Sequence, residues 1–414
     1  MDFSRVICYH YSNMKSLSYD SEVFLRGVED IITKEELRSL IQNGKRLRIK
    51  LGIDATGDLH IGHAVSLWKI RQLQEVGHKA VILIGDITTQ IGDPTGKAKT
   101  RSILSTQEIS QNTRRIIKSL KKILLTNSGV FELRKSSEWY GKMKAPEFIR
   151  LLSYITHSRL IERDMFKKRI AEHSEIHMHE LIYPILQGYD SVMLKSDLTI
   201  IGSDQLFNEH LGRALQERFG QKPQIIVACK ILPGIDGGEK MSKSIGNFIG
   251  IEDDPSEKFG KAMRIPDRLI IPYLEVYSDV PLEQIKKLEQ ALTKGENPKN
   301  IKIFLAEALV HRYHGERKAE YTKKQFLRIF SKKELLEIPE VKLLKGDYPI
   351  LDLLVKLNFI PSRAEGRRLI AQGAVEVDNR VLNRTDEIIS ITKELTVKVG
   401  KRKFIKAVPI DITL

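Results

Sequence analysis

Two short strings in the chain carry residue types suited to phosphate chemistry. His60-Ile61-Gly62-His63 follows a segment that alternates like a strand, and Lys240-Met241-Ser242-Lys243-Ser244 closes the glycine-rich loop 233–244. The histidines are expected at a helix N-terminus, where free backbone N–H groups and the helix dipole already favour an anion. Two imidazoles there can donate hydrogen bonds to a phosphoryl oxygen as charge builds on it, and Gly62 lets a nucleotide approach the backbone. Lys240 and Lys243 bracket a loop introduced by Pro233-Gly234-Ile235-Asp236-Gly237-Gly238. Two ammonium groups on such a loop suit a pyrophosphate leaving group, on which they can close. Either string alone reads equally as capping histidines or as a solvated basic loop. In this order they read as two halves of one ATP-phosphate clamp.

The elements that must position them follow from the apolar pattern. Residues 47–54 alternate strictly, with Leu47, Ile49, Leu51 and Ile53 on one side and Arg48, Lys50, Gly52 and Asp54 on the other. A helix over 62–75, stopped by Gly77, and a strand over 79–85 complete a βαβ unit. Such units build parallel sheets whose ligands sit at the strands' C-terminal ends. Strand-like runs return at 198–202 and 224–229, so the charged helical stretch of about 105–180 reads as an insertion between two halves of one sheet. The expected fold class is α/β, with a Rossmann-like parallel-sheet catalytic domain over 47–265. A helical segment over 1–46, clearest at 34–42, precedes it. A helical domain and linker over 266–348 and a small α+β module over 349–414 follow. In that module a basic helix at 362–372 leads to a hairpin at 374–382 and a second hairpin turning near Gly400.

Composition narrows the partners. At 414 residues and 41% hydrophobic, the chain can fill two or three domains. No apolar run reaches the length of a membrane span. The first residues lack a signal-peptide core, and Asp2, Asp20 and Glu22 argue against a presequence. Cys8 and Cys229 supply neither a disulfide framework nor a metal cluster, which fits a reducing cytoplasm. Lys and Arg number 68 against 53 Asp and Glu, an excess that favours a polyanionic partner such as nucleic acid. In the last module Arg363, Arg367 and Arg368 share a short helix, while Lys398, Lys401, Arg402, Lys403 and Lys406 crowd the final hairpin. That patch suits phosphate contacts that position an RNA. The cluster Arg114-Arg115 with Lys118, Lys121 and Lys122 reads instead as a solvated helix face.

The pair of strings resembles the HIGH and KMSKS motifs of class I aminoacyl-tRNA synthetases, in unaltered form. Further stretches bring the resemblance to the bacterial-type tyrosyl-tRNA synthetases: Tyr183-Pro184-Ile185-Leu186-Gln187-Gly188-Tyr189-Asp190, then Gly202-Ser203-Asp204-Gln205-Leu206-Phe207-Asn208, and a C-terminal module that looks like an S4 RNA-binding domain. Tryptophanyl enzymes share something like the first stretch and lack the module.

The resemblance implies ATP with Mg2+, L-tyrosine and tRNA(Tyr) as substrates, a homodimer in the cytoplasm, and no membrane. It implies that 266–348 holds the anticodon-binding domain. Catalysis would fall to His60, His63, Lys240 and Lys243. Thr56, Gly62, Asp204, Gln205, Met241, Ser242, Lys243 and Ser244 would meet ATP. Lys50, Gly52, Asp54, Asp93, Tyr183, Gln187 and Asp190 would surround tyrosine, with Asp190 accepting from the phenol and Tyr183, Gln187 and Asp93 holding the α-ammonium group. Arg363, Arg367, Arg368, Lys401, Arg402 and Lys403 would contact tRNA. Tyr183, Gln187 and Asp190 are spaced by four and three, so one helix face can present all of them among Ile182, Ile185 and Leu186.

Some positions depart from the pattern. Lys50 stands where some members have tyrosine, and it either reaches the pocket or pairs with a carboxylate. Ala55 stands where proline is usual, and Ile201 where a second glycine is common. Trp139 and Tyr140 are candidate dimer anchors. Other readings are a tryptophanyl enzyme, a small-molecule nucleotidylyltransferase, and an RNA-binding protein that kept the fold without the catalysis.

Overall fold

The computed structural model describes residues 18, 21–92, 104–330, 340–360, 362–378, 380–400 and 403–410. Cys8, Asp93, Lys401 and Arg402 lie outside the described residues. The chain divides into two compact units, Met1–Lys323 and Lys324–Leu414.

The first unit is built on a six-stranded sheet in the order β1-β6-β5-β2-β3-β4. These are β1 Val28–Ile32, β2 Arg48–Asp54, β3 Lys79–Gly85, β4 Phe131–Lys135, β5 Leu198–Gly202 and β6 Ile225–Cys229. β2 to β6 run parallel, and β1 alone runs antiparallel, against β6. The continuous apolar runs of β3 and β6 are buried along almost their whole length, as strands covered by helices on both faces require. From β2 the chain steps outward through β3 to β4, then crosses to the other side for β5 and β6. The strand order therefore switches between β2 and β5, where a parallel sheet opens a crevice at its carboxyl ends.

Two strands escaped the sequence pattern. The stretch expected as a helical lead-in, 1–46, contains β1, and the stretch expected as a helical insertion, 105–180, contains β4. β1 carries no alternation, and β4 alternates over only the four residues Phe131 to Arg134. β1 is held by its ladder with β6. β4 is an edge strand whose polar side chains are claimed by neighbours: Glu132 accepts from Arg48 at 3.0 Å and pairs with Lys79 at 3.0 Å and Arg134 at 3.1 Å. The Arg48 guanidinium first, with help from Lys79 and Arg134, holds the Glu132 carboxyl down to about 2.

The helices Ile270–Tyr277, Leu282–Thr293 and Pro298–His314 belong to the same compact unit as the sheet. Trp68, on the helix Ile61–Glu75, donates to the Tyr313 hydroxyl at 3.3 Å, and Arg312 stacks 4.6 Å over its ring. Tyr273 donates to Pro233 O at 2.7 Å. The loop bearing the lysines is thereby seated on the helical segment.

In the second unit, β7 Glu340–Leu344 joins a five-stranded sheet ordered β10-β9-β12-β13-β7, while β8 Gly346–Pro349 pairs with β11 Ile388–Ile391. Residues 340–348, expected as part of the linker, thus contribute β7 and most of β8. β9 Val375–Val377 pairs antiparallel with β10 Arg380–Val381, and β12 Leu395–Val399 with β13 Lys403–Ile410 across Gly400, whose φ of +63° suits a tight turn. The helices Ile350–Lys356 and Arg363–Ala371 close the core through Ile350, Leu354 and Ile370 against Val375, Ile391 and Val397. Among the described residues no helix is long and apolar enough to cross a membrane.

Candidate active site

The crevice at the switch point is a cavity of about 660 Å³. The carboxyl ends of β2, β3, β5 and β6 form its floor, and the lysine loop forms its rim. His60, Gly62, His63, Thr56, Gly52, Asp54, Tyr183, Gln187, Asp190, Asp204, Gln205 and residues Lys240 to Ser244 all line it. Most residues expected at ATP and tyrosine are thereby brought together. Lys50 is not among the lining residues, and Asp93 lies outside the described residues.

On the phosphate side, His60 caps the helix Ile61–Glu75 in extended conformation, and its N–H donates to His63 Nδ1 at 3.3 Å. The rings lie 3.9 Å apart. Burial, then His63, Lys243 and Lys240, hold His60 down to about 2. His63 is lowered too, by confinement in the cleft and by the same two lysines, although solvent reaches its ring. Both imidazoles are therefore neutral hydrogen-bonding groups near neutral pH. His60 Nδ1 is buried without a partner, and a Cβ at Gly62 would come within 2.9 Å of it.

The two strings are stitched by backbone. Ile61 N donates to Ile249 O at 2.9 Å, and Ile251 N to Leu59 O at 3.1 Å. Buried Lys258 donates to the carbonyls of Gly250 and Ile251, so the segment after the lysine loop has a fixed base. The lysines themselves rest on exposed carboxylates: Lys240 on Asp204 at 2.5 Å and Lys243 on Asp58 at 3.1 Å. Gly57, with φ +140°, clears space for Lys243, whose ammonium a Cβ there would meet at 2.5 Å.

On the deeper side, the helix Met178–Leu194 presents Tyr183, Gln187 and Asp190 to the cavity on one face. Tyr183 donates to Asp54 Oδ2 at 2.9 Å, and Thr88 to Asp54 Oδ1 at 2.7 Å. Asp190 is buried and pushed up to about 8 by that burial; the Lys50 charge and the Trp139 and Tyr140 side chains pull the other way. Trp139 Nε1 donates to Asp190 Oδ1 at 3.0 Å, and the Tyr140 hydroxyl donates to Leu186 O at 2.7 Å. Trp139 is thus an interior partner of Asp190 and not an exposed dimer anchor.

Of the two roles open to Lys50, the structure shows the ion pair. Its ammonium meets Glu209 at 2.9 Å and Ser191 Oγ at 2.7 Å, with the side chain 1% exposed. Sequence reasoning missed Glu209, Trp139 and Thr88 at this site. The one available signal was indirect, since a lysine on a strand buried on both faces needs a carboxylate.

Gly85 offers a direct probe of this geometry. A Cβ there would lie 2.6 Å from Asp54 Oδ1 and would also strike Thr88 Oγ1. Gly85→Ala is expected to displace both, lowering stability by about 1–3 kcal/mol. Thermal melting reads the effect; an unchanged melting temperature would show that Asp54 need not be held where it is.

In the second unit Arg363, Arg367 and Arg368 are exposed, though Arg363 pairs with Asp352 at 2.5 Å and Arg368 with Glu365 at 2.6 Å. Lys403 opens β13. Lys118 and Lys122 pair with Glu252, which fits a solvated helix face.

A family model described as tRNA synthetases class I (W and Y) matches residues 42–331, and an S4 domain model matches residues 349–394. The tyrosine--tRNA ligase of Carboxydothermus hydrogenoformans is 43% identical over 400 residues, covering 94% of this chain and 97% of that protein. That of Francisella tularensis is 41% identical over 396 residues, covering 95% and 100%. In fold, the chain is similar to a tyrosyl-tRNA synthetase from Archaeoglobus fulgidus solved with L-tyrosine. The TM-score is 0.58 at 24% identity, covering 73% of this chain and 98% of that one.

Proposed function

Since the chain belongs to the tyrosine--tRNA ligases, class I tRNA synthetases that carry an S4 domain, we propose how its cavity carries out the two half-reactions. The tyrosine carboxylate attacks the α-phosphorus of ATP, expelling pyrophosphate and leaving tyrosyl-adenylate. A ribose hydroxyl at the tRNA 3′ end then attacks the activated carbonyl and releases AMP. The first step is a displacement at phosphorus, so positioning and charge stabilisation dominate.

The neutral imidazoles of His60 and His63 donate to the phosphoryl oxygens. Lys240 and Lys243 leave Asp204 and Asp58 to meet pyrophosphate; those ion pairs are exposed and are worth about 0–1 kcal/mol each, so leaving them costs little. Thr56, Gly62, Asp204, Gln205 and residues Met241 to Ser244 line the ATP side. ATP enters with Mg2+ on its phosphates.

Asp190, oriented by Trp139, accepts from the phenol. Tyr183 and Gln187, with Asp54 behind Tyr183, receive the α-ammonium group. Arg363 and Arg367 on the S4 helix meet tRNA phosphates, and the helices after 266 take the anticodon side. The enzyme works as a homodimer in the cytoplasm.

One observation carries this reading: the helix face of Tyr183, Gln187 and Asp190 lines the same cavity as His60, His63 and Lys243. ATP–pyrophosphate exchange with each amino acid in turn tests it. Tyrosine should drive exchange far above every other amino acid, and exchange driven by tryptophan instead would overturn the assignment of the helix face.

A further inference from the structure

Glu209 lies on the helix Leu206–Arg218, directly after the Ser203–Gln205 turn, and is 1% exposed. An ionised carboxylate can only accept hydrogen bonds. Its Oε2 accepts from Lys50 Nζ at 2.9 Å and Gln224 Nε2 at 2.7 Å, and its Oε1 from Gln187 Nε2 at 2.7 Å. Lys50 completes its own set with Ser191 Oγ at 2.7 Å and Gln187 O at 3.4 Å. The charge is balanced and well hydrogen-bonded, the condition under which a buried ion pair is tolerated.

This arrangement decides which way the Gln187 amide points. Its nitrogen must face the acceptor-only carboxylate, so its oxygen faces Asn208, whose Nδ2 donates to it at 2.8 Å. Asn208 Nδ2 also donates to Gln205 Oε1 at 3.0 Å, which links the pocket to the nucleotide turn. An α-ammonium group has donors alone, so it can use only the amide oxygen, which keeps one lone pair beyond Asn208. A flipped amide would set N–H groups against the ammonium.

We propose that Glu209 is a positioning residue for tyrosine: it holds the Gln187 amide nitrogen so that the oxygen is left for the α-ammonium group, with Lys50 as its counter-charge. The inference rests on the reading that Gln187 contacts that group.

Glu209→Gln in the full chain keeps the side chain's size but offers an NH2 group where the carboxylate accepted. The tyrosine KM in pyrophosphate exchange should rise about 10- to 100-fold, with kcat and the ATP KM within about threefold of wild type. The variant also strands the Lys50 ammonium and lowers the Tm. The double variant Lys50→Met/Glu209→Gln removes that stranded charge, so its Tm should recover while the tyrosine KM stays raised. A tyrosine KM that returns to wild type along with the Tm would show that Glu209 only packs, and would overturn the proposal. Gln187→Ala separates the two levels of the argument. Should it leave the tyrosine KM unchanged, the reading of Gln187 fails. Should it raise that KM while Glu209→Gln behaves as wild type, the reading of Gln187 stands and the role of Glu209 fails.

Discussion

Replacing Asp190 by alanine is expected to lower kcat/KM for tyrosine in pyrophosphate exchange by about 100-fold, and to change the phenylalanine value by less than about threefold. The reason is the asymmetry of buried hydrogen bonds. In the proposed pose the phenol hydroxyl enters a site where Asp190 is buried and Trp139 already holds one carboxylate oxygen at 3.0 Å. Phenylalanine makes no hydrogen bond to Asp190, so removing the carboxyl takes nothing from it. Without the carboxylate, the tyrosine hydroxyl is the group left unsatisfied, and discrimination collapses from the tyrosine side. Equal losses for both amino acids would place Asp190 in the scaffold instead.

The same carboxyl sets the sign of a pH dependence. Burial pushes it up to about 8, so the empty pocket holds it largely as the neutral acid at neutral pH. The ionised form is the stronger acceptor for a phenol O–H. The tyrosine KM should therefore fall as the pH rises from roughly 6 to 9, while the phenylalanine KM stays level. Stability runs the other way. Because the folded-state value lies above the unfolded one, the folded protein retains this proton longer. That stabilising contribution is complete below the unfolded carboxyl range and is lost as the pH rises through about 8. Asp190→Ala should flatten both profiles.

Lys243→Ala is expected to slow tyrosyl-adenylate formation by about 100- to 1000-fold in single-turnover measurements, leaving tyrosine Kd within about twofold. At rest the ammonium sits on Asp58 at 3.1 Å, and both side chains are open to solvent. Its full electrostatic value appears only when charge develops on the departing pyrophosphate. The loss should therefore fall on the chemical step. A normal single-turnover rate, or a loss confined to tyrosine binding, would refute the role. The neutral imidazoles of His60 and His63 add a corollary: with His60 held down to about 2, this step should not follow the titration of an ordinary histidine between about pH 6 and 7.

Much of the site was legible because its parts are local. A strand that alternates, a helix that starts at His60, and the spacing of Tyr183, Gln187 and Asp190 are short-range periodicities, and each decides which side chains share a face. The hairpin of β9 and β10 and the one that turns at Gly400 were legible for the same reason. β1 and β4 were not: β1 does not alternate, β4 alternates over only Phe131 to Arg134, and it is the ladders to β6 and β3 that make them strands. Helical periodicity shows that a segment is a helix and not what it packs on. Trp68, Tyr313 and Arg312 join what the pattern seemed to separate.

By itself, then, the sequence determined which residue types make up the two strings and which polar face the helix Met178–Leu194 presents to the cavity. Both depend on residue type and on spacing within a few turns of chain. Tertiary structure alone decided the partners. Lys50 had two open roles until the fold brought Glu209, 159 residues away, to within 2.9 Å of it. Trp139 passed for a surface anchor until the helix Met178–Leu194 was laid beside it and Asp190 took its N–H. A buried charge must find its counter-charge and a buried donor its acceptor. The chain states that need locally, and long-range closure of the sheet and its helices selects the group that meets it.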